Sequence, residues 1–91
     1  MELKISSQFA SDYKEVGDIS LHNKVRTVLE MLKQAKGIND ISQFKKIEGS
    51  STAYKMGIGF YYLVGTVIAN DQIVLIRFLR KNTLVEILDQ K

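Results

Sequence analysis

The chain has 91 residues, a net charge of +3, 45% hydrophobic and 25% charged residues. This length leaves room for one domain, residues 1–91, and the apolar fraction is that of a folded chain rather than a disordered one. Because Cys is absent, disulfides, zinc–thiolate sites and a Cys nucleophile are excluded.

The apolar runs give no sign of export or membrane insertion. No apolar h-region follows the first four residues, as a signal peptide would require. The longest nearly apolar run, residues 58–69, has about 12 residues, and a membrane helix needs roughly 20. We therefore expect a soluble, cytoplasmic protein that makes no membrane contact.

The first half of the chain predicts a strand and a helix. Residues 3–5 alternate apolar and polar side chains, as a half-buried strand does. Ser6 or Ser7 can cap the helix that follows, and Gly17 can end it in the left-handed conformation. One face of that helix holds Phe9, Tyr13 and Val16.

A second helix follows after a short connection, so the two helices are expected to form an antiparallel hairpin. Asp18 or Ser20 can cap this helix, which is predicted to run to residue 36 and to stop at Gly37. Its apolar stripe comprises Leu21, Val25, Val28, Leu29, Leu32 and Ala35.

The second half changes to strand periodicity. Residues 44–48, 54–58, 60–68 and 73–80 are predicted strands, and Asn70-Asp71 is a hairpin turn between the last two. If Ala69 pairs with Gln72, one sheet face lies against the helices and the other is open. The helix side is predicted to hold Tyr54, Met56, Tyr61, Leu63, Val67, Val74, Phe78 and Arg80. The open side is predicted to hold Lys55, Tyr62, Val64, Thr66, Leu75, Arg77 and Leu79.

The C-terminal segment, residues 82–91, allows two interpretations. Thr83 and Glu86 match a capping box, which favours a short helical turn. Its paired apolar residues also suit a strand or an irregular tail against the core.

Basic residues concentrate in the strand-rich half. Residues 1–43 carry six basic and six acidic side chains, whereas residues 44–81 carry six basic against two acidic ones. Such an excess suits a polyanion or an acidic protein partner, and a solvated surface is the alternative given equal weight.

Most catalytic patterns are absent from the sequence. His22 is the only histidine and is expected to be an exposed helix residue. The scattered carboxylates form neither a metal-ligand set nor a hydrolase pair. Gly57 and Gly59 lack the helix that follows a phosphate loop, and they are expected to allow a bulge or tight bend between strands.

The basic cluster is the remaining candidate site. A set of fixed cations can clamp phosphates and stabilise the phosphorane of RNA cleavage without metal, or it can hold an acidic peptide. Tyr62 is the tyrosine best placed to stack on a base from the open face. The cluster comprises Lys45, Lys46, Lys55, Arg80 and Lys81.

The order of these segments resembles the RelE/ParE superfamily of toxins from type II toxin–antitoxin modules. The matching segments are residues 45–49 (KKIEG), 54–63 (YKMGIGFYYL) and 73–81 (IVLIRFLRK). The resemblance implies an α+β fold. In it, an N-terminal strand and an antiparallel helical hairpin pack on one face of a curved, mainly antiparallel sheet of about four strands.

The same resemblance implies a function without any cofactor. RelE-like members cut mRNA on the ribosome, ParE-like members poison DNA gyrase, and both bind a cognate antitoxin. Carried over by position, Lys55, Arg80 and Lys81 are expected to be catalytic. The residues expected to hold RNA are Lys45, Lys46, Tyr62 and Arg77.

Three positions depart from the family pattern. Tyr62 stands where active ribonucleases usually have Arg, Gly57 where some have a second Lys, and Val85 or Leu84 where they have a C-terminal Tyr. The leading expectation is a ribosome-dependent mRNA endonuclease. The alternative is a non-catalytic member, either a ParE-like gyrase inhibitor or a protein that only binds its antitoxin.

Overall fold

The computed structural model describes residues 1–69 and 71–84, beginning with strand β1 (Glu2–Ile5) and helix α1 (Ser7–Glu15). Ser6 is the N-cap, because its Oγ accepts a hydrogen bond from the Phe9 N–H at 3.0 Å. The predicted left-handed stop at Gly17 is wrong, since only Gly49 and Gly59 have positive φ among the described residues. The helix ends one residue earlier, where Val16 turns to an extended conformation and buries its side chain.

Helix α2 (Ile19–Gln34) begins at Asp18, whose Oδ1 accepts a hydrogen bond from the Leu21 N–H. It ends before the predicted stop, with Ala35 as its extended C-cap. The amino group of Met1 donates hydrogen bonds to the Lys33 and Ala35 carbonyls there. The free carbonyls of the last turn are therefore satisfied by the start of β1 rather than by a left-handed glycine.

Within residues 1–69 and 71–84, five strands form one sheet in the order β1-β5-β4-β3-β2. After a 3₁₀ turn (Ile38–Asp40) come β2 (Lys45–Lys46), β3 (Ala53–Ile58), β4 (Tyr61–Ala69) and β5 (Gln72–Arg80). The consecutive strands β2 to β5 are antiparallel, whereas β1 pairs in parallel with β5. The N-terminal strand thus joins the sheet at its edge, which gives one strand more than expected.

The predicted register of β4 and β5 holds at both ends of the hairpin and fails in the middle. Tyr61 to Val64 pair with Arg80 to Arg77, and Ala69 pairs with Gln72, as expected. Between them the register shifts by one residue, so Val67 pairs with Ile73 rather than Val74. The shift turns Leu75 into the core and places Val74 opposite Thr66 on the other face, so the predicted faces of both residues are wrong.

Gly65 shows why the register shifts. A Cβ at this position would lie 2.9 Å from Cδ1 of Ile73 and 3.2 Å from Cδ2 of Leu75. The two apolar side chains therefore pack over bare backbone, where a bulge brings both of them to the helix side. A rule of strict alternation cannot anticipate such a bulge.

The face covered by α1 and α2, here called the helix face, carries the main core. Met56, Leu63 and Phe78 are buried there and Tyr54 packs against them, as predicted. The core also includes Phe9, Val16, Leu21, Val25, Leu32, Ile41, Phe44, Ile58, Ile73 and Leu75.

The opposite face, here called the cation face, carries Lys45, Lys55, Tyr62 and Val64. It is only partly open, because Ile47, Val64 and Leu84 form a small second cluster on it. Residues 81–84 are helical, so a helix begins two residues before the predicted cap at Thr83. Val85 and Glu86 lie outside the described residues. No helix in the described ranges has the length and apolar character of a membrane span.

Candidate functional site

Two ammonium groups converge on one tyrosine ring of the cation face. The Nζ of Lys55 lies 4.8 Å from the centroid of the Tyr62 ring, and the Nζ of Lys81 lies 5.3 Å from the same centroid. Lys55 comes from β3, Tyr62 from β4, and Lys81 from the residue that follows β5. Each ammonium gains from the electron-rich ring face, which holds the pair together despite their like charge.

The strands dictate this arrangement. Gly57 lies opposite Tyr62 in the β3–β4 pairing, and Lys55 lies two residues away on the same face. The backbone N–H of Lys81 donates a 2.9 Å hydrogen bond to the Phe60 carbonyl. This bond fixes the point where β5 ends and the helical residues 81–84 begin. Lys81 therefore reaches the Tyr62 ring from the end of the sheet.

The two adjacent lysines of β2 separate onto opposite faces. Lys45 pairs with Lys55, and Lys46 pairs with Tyr54. Since cross-strand partners share a face, Lys45 joins the cluster on the cation face while Lys46 points to the helix side. Both are exposed, so the structure extends the cluster to three lysines and leaves Lys46 apart from it.

Arg80 also lies away from the cluster. It pairs with Tyr61 on the helix face, and its guanidinium carbon lies 5.9 Å from the centroid of the Tyr61 ring. Tyr61 in turn stacks on Phe78 with ring centroids 5.0 Å apart. The structure thus places the two residues expected to share one phosphate, Lys55 and Arg80, on opposite sides of the sheet.

Arg77 is held by an ion pair with helix α1. Its Nε donates to Oδ2 of Asp12 at 2.9 Å and its Nη2 to Oδ1 at 3.3 Å. Oδ2 also accepts the Phe78 N–H at 2.9 Å. Asp12 thereby closes the edge of β5 beyond the end of β1 and engages the guanidinium that was expected to bind RNA.

The carboxyl group of Asp12 has a perturbed acidity. Burial raises its pKa, but hydrogen bonds from Arg77, the Phe78 N–H and Gln8, with the positive charge of Arg77, outweigh burial. The net pKa lies below its ordinary value. The ionised form is therefore stabilised where it ties α1 to the sheet.

The lysine cluster has no such counter-charge in the described part of the chain. The ion pairs within residues 1–69 and 71–84 join Lys4 to Glu2, Lys33 to Glu30 and Arg77 to Asp12. Lys55 and Lys81 are both half-buried, so their charges are less screened than those of fully exposed lysines. The described residues therefore leave two ammonium groups at the Tyr62 ring without a carboxylate partner.

The remaining candidates behave as follows. His22 is half-buried rather than exposed; it stacks on Tyr13 at 4.2 Å and its Nε2 lies 3.0 Å from the Tyr13 carbonyl, which ties α2 to α1. Gly59 has φ of +59° in the turn between β3 and β4, as a tight bend requires. No group of three or more His, Cys, Asp or Glu within the described ranges could hold a metal ion.

The sequence predicts a cluster of five basic residues with Tyr62, of which the structure brings together Lys45, Lys55 and Lys81 but not Lys46 or Arg80. It gives no sign of Asp12 or of the contact that Gly57 makes. Asp12 is 65 residues from Arg77 in sequence, and no local pattern connects them. Gly57 was expected to bend the chain, yet β3 pairs with β4 through it without interruption. The one indication in the sequence is that residue 57 is Gly where some family members have Lys, so that no side chain stands beside Tyr62.

The fold is that of the RelE-like toxins. The RelB–RelE antitoxin–toxin complex from Methanococcus jannaschii matches with a TM-score of 0.78 at 21% identity, over 92% of this chain and 96% of that chain. The YoeB dimer from Staphylococcus aureus gives 0.67 at 19% identity, over 87% and 94%. The intact E. coli RelBE complex gives 0.67 at 17% identity, also over 87% and 94%. No protein-family model and no curated protein sequence matches the chain significantly.

Proposed function

We propose that this protein is the RelE-like toxin of a type II toxin–antitoxin module and that it cleaves mRNA on the ribosome, in the cytoplasm, without a metal ion. One observation supports the proposal above all: two lysines without a carboxylate partner in the described residues converge on Tyr62. They do so on the sheet face opposite the helices of a RelE-like fold.

Cleavage of RNA without a metal ion requires fixed positive charge at the scissile phosphate. In the cleavage step the ribose 2′-hydroxyl gives its proton to water and its oxygen bonds to phosphorus, while the bond from phosphorus to the 5′-oxygen breaks and the leaving 5′-oxygen takes up a proton. The products are a 2′,3′-cyclic phosphate and a 5′-hydroxyl, and the transition state between them carries extra negative charge on the phosphate oxygens. Preorganised cations stabilise that charge without reorganising, and loss of one such donor typically costs about 10²–10³ in rate. We assign this role to Lys55 and Lys81, whose ammonium groups share one aromatic support.

One other basic residue would help to hold the rest of the substrate. Lys45 continues the cluster along the cation face and is placed for the neighbouring phosphate, and the Tyr62 ring offers a surface for a base. Arg80 and Lys46 lie on the helix side, away from the cluster, so we assign neither of them to the RNA at the cleaved bond. Arg77 serves the fold through Asp12.

The experiment is controlled expression followed by primer extension on a translated mRNA. We expect new cleavage ends within the coding region for the native protein, none for Lys55→Ala, and native ends for the control Lys46→Ala. Purified protein on isolated ribosomes should retain cleavage when EDTA is added after the mRNA is bound, with sedimentation of the ribosomes as the control that they stay intact during the measurement. Absence of ends, with inhibition of DNA gyrase supercoiling, would instead assign the protein to the ParE-like class.

A second part of the proposal concerns the partner. Structures with this fold include the RelB–RelE and DinJ–YafQ complexes of toxin with antitoxin, and this chain carries a net charge of +3. A 340 Å³ groove between α1 and α2, rimmed by Lys14 and Arg26, is lined by the apolar side chains of Ile5, Phe9, Ala10, Tyr13 and Leu29. We assign it to an acidic, amphipathic antitoxin helix.

Binding of that partner should depend on salt, because opposed charges contribute to it. The probe is a synthetic acidic, amphipathic helical peptide, titrated against the native protein and against a Lys14→Ala, Arg26→Ala variant. We expect weaker binding at higher ionic strength and a shallower salt dependence for the variant. Equal affinity at low and high salt would show that the basic rim takes no part in the interface.

A further inference from the structure

Gly57 leaves a gap in the cation face, and the side chain of Lys81 fills it. A Cβ at position 57 would lie 3.1 Å from Nζ and 3.3 Å from Cε of Lys81, and 3.7 Å from Cε1 of Tyr62. Those first two distances are shorter than ordinary van der Waals contact. The end of the Lys81 side chain therefore lies against bare backbone, in the position that any side chain at residue 57 would take.

The glycine is not required by backbone conformation. Among the described residues positive φ occurs only at Gly49 and Gly59, and residue 57 continues β3 in register with β4. Any L-residue could adopt this backbone. A glycine within a strand that is required neither by φ nor by a bulge points to close approach of another group, and here that group is the Lys81 ammonium.

We infer that Gly57 is a positioning residue: its missing side chain opens the path by which Lys81 reaches the Tyr62 ring beside Lys55. One part of the inference rests on the proposed function, namely that Lys55 and Lys81 together hold a phosphate of the RNA. Its geometric part, the dependence of Lys81 on the gap, stands apart from any activity. Gly57 touches no substrate and acts through Lys81.

The charges explain why a gap is needed. Two ammonium groups for which the described residues provide no counter-ion repel each other, so an unsupported Lys81 would extend into water. The gap gives its methylene stem a surface to lie on, and the Tyr62 ring attracts its charge. A side chain at residue 57 would remove that surface and move the ammonium away from the ring. An anion bound between the two lysines would then lose one of them.

The first measurement follows Lys81 directly. In the NMR spectrum of the full chain, the Hε protons of Lys81 should carry a ring-current shift from Tyr62, calibrated with Tyr62→Ala. We expect Gly57→Val to abolish this shift and Gly57→Ala to reduce it. The matched control is Gly17→Val, since Gly17 has no atom within 4 Å of its added Cβ and no positive φ. An unchanged shift in Gly57→Val would overturn the inference.

The second measurement is a double-mutant cycle with a single-stranded RNA oligonucleotide as the probe. We expect Gly57→Val to weaken RNA binding to the level of Lys81→Ala and to add nothing in a Lys81→Ala background. An equal additional loss in that background would show a merely structural effect and overturn the inference. If Gly57→Val does not fold, the same cycle is run with Gly57→Ala, whose Cβ demands only a small shift of the lysine end.

Failure of the proposed function would look different. If the ring-current shift disappears in Gly57→Val while neither Lys55→Ala nor Lys81→Ala changes RNA binding, then the gap positions Lys81 as inferred. In that case the lysine pair does not bind RNA. If Lys81→Ala weakens binding and Gly57→Val does not, the RNA site stands and the inference about Gly57 is refuted.

Discussion

On the helix face, thirteen buried apolar side chains of the described residues form one continuous cluster, whereas on the cation face the buried cluster has three members. The helix face holds Leu63, Ile73 and Leu75, each with 0% exposure. The cation face instead holds half-buried lysines around a tyrosine ring. One sheet therefore separates two tasks: burial on one face stabilises the fold, and the other face can carry like charges that stability alone would disfavour.

The largest expected effect separates stability from function. Leu63→Ala should lower the free energy of unfolding by about 2–5 kcal/mol, because the deleted methyl groups leave a cavity in a fully buried site. Lys55→Ala, on the neighbouring strand but the other face, should change it by no more than about 0.5 kcal/mol. Urea unfolding of both variants measures the contrast. Comparable losses of stability would show that the cation face is also structural.

A smaller effect is expected at Asp12, which joins α1 to the edge of β5. Asp12→Asn should cost about 1–3 kcal/mol, since the substitution removes the charge of an acceptor that is hydrogen-bonded to Arg77, the Phe78 N–H and Gln8. The pKa of Asp12 is lowered in the folded state. Its contribution is therefore present above the unfolded pKa of about 3.9 and is lost as pH falls through the lower folded pKa.

Thermal unfolding at a series of pH values checks this linkage. The stability difference between the native protein and Asp12→Asn should be constant from neutral pH down to about pH 5 and then shrink below about pH 4. The control is Asp71→Asn, whose side chain is exposed in the turn between β4 and β5. A difference between native and Asp12→Asn that grows on acidification would contradict the assigned role of the ion pair.

The smallest effect compares the two adjacent lysines of β2. Lys45→Ala should reduce the slope of log affinity for single-stranded RNA against log salt by about 0.7, the value for one lost phosphate contact. Lys46→Ala, on the opposite face, should leave the slope unchanged. Titrations of each variant with RNA at three or more salt concentrations give the two slopes to be compared. Equal slopes for both variants would place the RNA elsewhere.

Features of the fold that depend on residues close together in sequence could be predicted, and features that depend on contacts between distant residues could not. The order of elements, both helix caps and the hairpin register near Tyr61 followed from local spacing. The bulge opposite Gly65 did not, because it reflects how Ile73 and Leu75 pack against the helices. The helix ends at Val16 and Ala35 were missed for the same reason, since tertiary contacts replaced glycine caps.

The same distinction between local pattern and distant contact applies to the candidate site. Lys55 and Tyr62 could be placed on one face because strand alternation carries that information. The hairpin register also predicts Arg80 opposite Tyr61 on the helix side, which the structure confirms. Only the structure shows that Lys81, its neighbour in sequence, joins Lys55 at the Tyr62 ring. The Asp12–Arg77 pair joins a helix to a strand across 65 positions, and an isolated sequence offers no signal for such a contact.

The central claim is that cleavage depends on the cation face and specifically on the pair Lys55 and Lys81. Single-turnover cleavage of an mRNA on programmed ribosomes tests it most directly, with Lys55→Ala, Lys81→Ala and Arg80→Ala measured at equal occupancy. The account predicts that the first two each slow cleavage by about 10²-fold or more, and that Arg80→Ala slows it much less. A cleavage rate that survives Lys55→Ala and Lys81→Ala, or that falls as far in Arg80→Ala as in either, would contradict it.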